Sequence, residues 1–169
     1  MAWYVLLIGA VAVERLAELV LTKRNRAWSR ARGGVEFGAR HYPAMVALHT
    51  GLLAGCLVEA ITLHRPFFPA LGWPMLAIVV AAQALHWWCI AMLGDQWNTR
   101  VIVVPGAARV TIGPYRFVPH PNYVAVVAEG ITLPLVHTAW MTALVFSVLN
   151  AALLIRRINV ENAAMASLT

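Results

Sequence analysis

Residues Gly113–Gly130 read GPYRFVPHPNYVAVVAEG, and this stretch governs how the rest of the chain is understood. Three prolines, at 114, 119 and 121, stand among Tyr115, Arg116, His120, Asn122 and Tyr123. A membrane-spanning helix wants none of that run: proline removes a backbone donor, and polar side chains are costly in hydrocarbon. Yet the segments on either side are oily. The 169-residue chain is 61% hydrophobic and only 12% charged, against about 25% charged in an ordinary soluble domain. Its charges collect in a few connecting stretches. That distribution predicts a single all-α, polytopic membrane domain with polar chemistry gathered at one membrane face.

Working outward, five apolar segments are predicted, at about 3–22, 44–63, 75–93, 123–136 and 138–155. The first contains Glu14, Arg15 and Glu18. Glu14 and Glu18 share a helical face, Arg15 offsets one charge, and charges inside a span face protein or water. The segment reads as a retained helix rather than a cleaved signal peptide. Between the first two segments, Lys23–Pro43 holds six basic residues and one acid, and Gly33-Gly34 interrupts any helix there. Basic loops mark the cytoplasmic side. The N-terminus is therefore expected outside, the Arg65 loop outside, and both 94–122 and the 156–169 tail inside. Segment four is short. Fourteen residues rise roughly 21 Å, less than the roughly 30 Å hydrocarbon core, so it should pair with segment five as a tight hairpin.

Several functions are disfavoured. The net charge of +6 borders hydrophobic segments and forms no aromatic-interleaved face, so nucleic acid is not an expected partner; the bilayer is. Cys56 and Cys89 lie in different apolar segments without CxxC or Cys/His spacing, so neither a disulfide nor a metal site is expected. No GxGxxG follows a strand.

The polar stretch Leu93–Tyr123 carries an aliphatic run, Val101–Val104, and turns at Pro105-Gly106 and Gly113-Pro114. Pro121 suits the first position of a helix. From spacing alone, this is equally a re-entrant connector with His120 and Tyr123 as interfacial anchors. The tail, RRINVENAA, places Arg157 and Glu161 four apart. Alone, that pair is a surface ion pair of little worth. Falling on the same membrane side as 94–122, it can instead close a pocket.

Gly113-Pro114-Tyr115 followed by His120-Pro121-Asn122-Tyr123, closed by Arg157-x-x-x-Glu161, resembles the motifs of isoprenylcysteine carboxyl methyltransferases, in particular the small prokaryotic branch. The likeness extends to Leu93–Gly106 and to Val13–Leu19. It implies methyl transfer from S-adenosyl-L-methionine to a lipophilic acceptor, a carboxylate or acidic enol such as a long-chain alkylpyrone or a prenylated cysteine. By the same resemblance Gly113, Tyr115, His120, Asn122 and Tyr123 contribute to the cofactor pocket, with Glu161 and Asn162 at its polar ends. Arg157 and Glu161 are the expected catalytic pair, Arg157 holding the acceptor oxygen and Glu161 fixing either its guanidinium or the cofactor. Two positions depart from the pattern: Pro119 stands where the family has arginine, and Asn162 where it has a second glutamate. Arg116 is a candidate replacement for the missing arginine. Trp87, Trp88 and Trp97 read as belt residues or as a border to substrate access. His49, His86 and Cys89 read as packing residues, and Glu129 as either structural or pocket-lining. The rival readings are a nicotinamide-dependent membrane reductase, which shares the His-Pro-x-Tyr half, and a non-enzymatic membrane interaction protein.

Overall fold

In a computed structural model describing residues 1–168, five helices carry the chain: α1 Ala2–Arg30, α2 Tyr42–Thr62, α3 Pro69–Leu93, α4 Pro121–Leu135 and α5 Trp140–Leu168. The expected tail ends at Thr169, which lies outside the described residues. Three helical stretches, Ala39–Thr62, Pro69–Gln96 and Trp140–Ala166, are long and apolar enough to cross a membrane. Of the five expected spans, α1 and α4 fall outside that group. The reasons are the charges at the middle of α1 and the 15-residue length of α4. On α1, Leu6, Val13, Leu16 and Val20 are exposed while Glu18 and Asn25 are buried. A helix that turns apolar side chains outward and charge inward suits lipid surroundings.

Three boundaries depart from the sequence reading. First, α1 continues eight residues past Thr22, through the basic stretch expected as a loop, to Arg30. Thr22, Asn25 and Ser29 keep the three-to-four-residue spacing and are buried. Asn25 donates to the carbonyls of Gly94 (3.0 Å) and Trp97 (2.7 Å), and Ser29 Oγ donates to Asn25 O at 2.9 Å. The two Asn25 bonds, with Asn98 Nδ2 donating to Ser29 Oγ at 3.4 Å, fasten the extension to the segment after α3. Second, α3 begins at Pro69 rather than 75, since proline is tolerated in a first turn. Third, the tail is no separate element: α5 runs on through Arg156, Arg157 and Glu161.

The all-α expectation also needs one addition. Strand β1 (Val35–Phe37) pairs antiparallel with β2 (Val101–Val103), with Glu36 opposite Ile102. Glu36 accepts from Arg26 (3.1 Å) and Arg100 (2.5 Å). Partial burial raises its pKa, but the Arg100 hydrogen bond and the charges of Arg100, Arg26 and Arg30 outweigh this and hold the carboxyl below the usual range.

At the opposite end the expected α4–α5 hairpin forms. Ala139 N donates to Pro134 O at 3.0 Å. Glu59, from α2, accepts from the α5 amides of Met141 (3.2 Å) and Thr142 (2.7 Å) and pairs with Arg65 at 3.0 Å. It thus satisfies helix N-terminal donors that would otherwise be orphaned. The apolar core sits near this end, with Tyr4, Ile8, Leu52, Cys56, Val79, Leu133 and Phe146 in one cluster. The polar end is left open.

Candidate active site

The site begins at the turn Gly113–Arg116, a single 3-10 turn. Gly113 has φ +60°, and a Cβ there would meet Met92 Cγ at 2.6 Å. Only glycine lets this backbone lie against α3. Gly113 lines neither of the cavities described below, so its contribution is to shape the chain. Tyr115 is turned toward α3 beside the Cys89 thiol; burial, then the neighbouring Cys89, raises its phenol well above the ordinary value. Pro121 occupies the first turn of α4 and is fully buried, which fixes the three polar residues around it.

His120 stacks on Tyr123, with ring centroids 5.2 Å apart and planes 17° from parallel. The Tyr123 hydroxyl donates to Glu161 Oε2 at 2.5 Å and accepts from Arg157 Nε at 2.9 Å. His120 Nδ1 lies 3.8 Å from Glu161 Oε1. The i,i+4 pair on α5 is therefore not a direct ion pair: a phenol from α4 stands between guanidinium and carboxylate. The other face of Arg157 meets Met45, Nη1 to Sδ at 2.8 Å.

Two cavities flank this chain of contacts. A basin of about 750 Å³ is lined by Tyr115, His120, Glu161 and Asn162 together with residues of the ribbon and the 104–110 loop. A groove of about 350 Å³ runs among α1, α2 and α5, with Leu16, Leu19, Val46, Leu53 and Leu153 along it. The cavities share Trp97, Asn98, Asn122, Tyr123 and Arg157. Both volumes lie in the range of ligand sites, or at its lower edge. The basin is the more polar of the two and the groove the oilier, and they meet where Arg157 stands.

Arg116 does not replace the missing family arginine. It is exposed, its guanidinium lies 4.7 Å over the Phe117 ring, and it is absent from the basin wall. The arginines of the basin are Arg100, Arg109 and Arg157. Of the three tryptophans, Trp97 reaches the junction, while Trp87 and Trp88 are 41% and 48% exposed on α3.

His86 is more than a packing residue. It is 3% exposed. Its Nε2 lies 2.9 Å from Glu18 Oε1, and its Nδ1 lies 2.5 Å from Asn122 Oδ1. Arg15 donates to Glu18 at 2.6 Å and to Glu129, and Glu14 accepts from Gln83 at 2.5 Å and from Trp87. Arg15, Glu18, His86 and Asn122 form one wall of the groove. The available signal was the rule that an intramembrane charge has a partner. It flagged Glu14, Arg15, Glu18 and Glu129 but gave no reason to choose a neutral-looking histidine.

Residues 75–167 match the isoprenylcysteine carboxyl methyltransferase (ICMT) family. The chain belongs to that family. It is thus a membrane methyltransferase, and most of α3, the polar stretch, α4 and nearly all of α5 fall inside the family match, whereas α2 and α1 with Arg15 and Glu18 fall outside. The chain is also 34% identical to "Uncharacterized protein YpbQ" of Bacillus subtilis, over 95% of each chain. A further "Uncharacterized protein", from Haemophilus influenzae, is 26% identical over 91% of this chain and 90% of its own. No solved structure matches.

Proposed function

We propose that this ICMT-family protein methylates an ionised oxygen of a lipid-tailed acceptor, using S-adenosyl-L-methionine. The observation that carries the proposal is the meeting of a more polar basin and an oilier groove at Asn122, Tyr123 and Arg157. A water-soluble donor suits the first cavity and a greasy acceptor the second. The basin's donor set fits the donor molecule. Glu161 and Asn162 suit its polar groups, the His120–Tyr123 stack offers an aromatic face, and the apolar side chains of the ribbon cover the remainder. Asn98 Oδ1, on the wall shared by both cavities, is buried without a hydrogen-bond partner among the described residues, and a ligand N–H there would satisfy it.

Bound S-adenosyl-L-methionine supplies an electrophilic methyl group on a sulfonium. The protein's part is positioning and exclusion of water. Arg157 holds the acceptor oxygen, and its own direction is fixed by the bond from Nε to the Tyr123 hydroxyl, which Glu161 anchors in turn. Opposite charges cancel as the methyl moves, so a water-poor junction favours reaction over the separated ions. An acceptor already ionised near neutral pH needs no strong base, only in-line placement. In a carboxylate or an enolate such as an alkylpyrone the oxygen is of that kind.

The test is a titration of the purified protein in detergent with S-adenosylhomocysteine and, separately, with NADPH. Saturable binding of the first and none of the second is expected. Binding of the nicotinamide alone would make the protein a reductase. Incubation with labelled S-adenosylmethionine and total lipid extract then identifies the acceptor by its mass gain.

A further inference from the structure

From α5, the oily groove is lined by Asn150, Leu153, Leu154 and Arg157. Those spacings put all four on one face of a helix. Two polar side chains therefore bracket two leucines. Seven residues of helix rise roughly 10 Å, so Asn150 lies about that much deeper in the bundle than Arg157.

Asn150 is 3% exposed and makes no hydrogen bond among the described residues. It stands in the interior of a helix long and apolar enough to cross a membrane. A buried polar group at such a depth is ordinarily paired. Other polar groups of the groove wall are already taken. Arg15 donates to Glu18 and Glu129, and His49 Nδ1 meets Met45 O at 2.9 Å. Thr50, also on the wall, is exposed. Polar side chains that join membrane helices do so through a partner on the neighbouring helix, and Asn150 has none among the described residues. Turning the amide over changes nothing, because neither end is engaged.

The amide can both donate and accept. An all-hydrocarbon tail filling the groove would shut it away unpaired, whereas an oxygen on the tail would satisfy it. We propose that Asn150 is a specificity-determining residue that hydrogen-bonds a hydroxyl or keto oxygen on the acceptor's chain, roughly 10 Å from the ionised oxygen at Arg157, so that the acceptor carries an oxygenated acyl chain rather than a plain alkyl or prenyl one. A site built to hydrogen-bond a ligand rejects the analogue lacking that group far more strongly than an oily pocket rejects a misfit, because its own buried group is left unpaired. The inference rests on the proposed methyl transfer in taking the groove's occupant to be the acceptor, and the site is testable without turnover.

Purified protein in detergent is mixed with equal amounts of octadecanoate, 3-hydroxyoctadecanoate and 10-hydroxyoctadecanoate, and native mass spectrometry reads which remains bound. The carboxylate stands in for the ionised oxygen at Arg157, and the hydroxyl of the third acid falls near the depth of Asn150. Wild type should retain the 10-hydroxy acid at least tenfold over either of the others. Asn150→Leu, which keeps the volume and removes the amide, should retain all three alike, with Tm unchanged or raised. Equal retention by wild type, retention of none, or preference for the 3-hydroxy acid overturns the inference. So does a preference that survives in Asn150→Leu, or a Tm lowered by that change, which would make the amide structural. Titration of the same wild-type protein with S-adenosylhomocysteine tests methyl transfer separately: no binding ends that reading, and the acid preference still decides whether Asn150 reads an oxygenated chain.

Discussion

Arg157 is held by Tyr123 on one side and Met45 on the other, with Glu161 reaching it only through the phenol. The two charged residues of α5 should therefore fail differently when changed. Arg157→Ala removes the group aimed at the developing reaction. A loss of about 100-fold in single-turnover methyl transfer is expected, with S-adenosylhomocysteine affinity nearly retained. Glu161→Gln keeps a hydrogen-bond acceptor for Tyr123 but removes the charge from the basin. It should weaken S-adenosylhomocysteine about tenfold, as losing a charge-assisted bond does. Calorimetric titration and rapid-quench assays distinguish the two, and identical behaviour would dissolve the division of labour. Both residues were readable as a spaced pair in the sequence. The intervening phenol was not, because which side of α4 faces α5 is a matter of how two helices rotate against each other.

At the scale of elements, hydropathy found the apolar helical segments, and where it erred the cause was local chemistry it does not register. The basic stretch after Thr22 is helical because Asn25 donates to, and Ser29 accepts from, the segment after α3. The ribbon forms because Val101–Val103 meets a partner more than sixty residues earlier, with Glu36 held between two arginines. The α4–α5 hairpin closes through small-residue packing: a Cβ at Gly130 would lie 2.1 Å from Phe146 Cε1, and Phe146 is buried. Gly130→Ala should destabilise the protein by about 1–3 kcal/mol through overpacking. Gly9 has nothing within 4 Å of its missing Cβ, so Gly9→Ala should be neutral or gain a fraction of the 0.5–1 kcal/mol, roughly, that helical glycine costs. Thermal unfolding in one detergent reads both. Equal shifts would mean that the close approach does not set the hairpin.

For the whole molecule, the basin, the ribbon and the basic stretches gather at one end, and the Glu59 cap and the Arg65 turn lie at the other. We expect the basin end to face the cytoplasm. Cys56 and Cys89 are buried, so introduced cysteines report cleanly. Leu63→Cys should react with a membrane-impermeant maleimide in intact cells, and Arg32→Cys only after permeabilisation. The reverse pattern would invert the orientation. By itself the sequence determined that the chain is helical, that it belongs in a membrane, and that Tyr115, His120, Tyr123, Arg157 and Glu161 are the residues to watch. Those conclusions rest on hydrophobicity, charge placement and short motifs, all of which are local. Only the tertiary structure decided that Tyr123 separates Arg157 from Glu161, that Arg116 points away while Arg100 and Arg109 line the basin, and that His86 meets Glu18 and Asn122. Each depends on side chains from different helices meeting at one place, and spacing along a single helix carries no information about its neighbours' rotation.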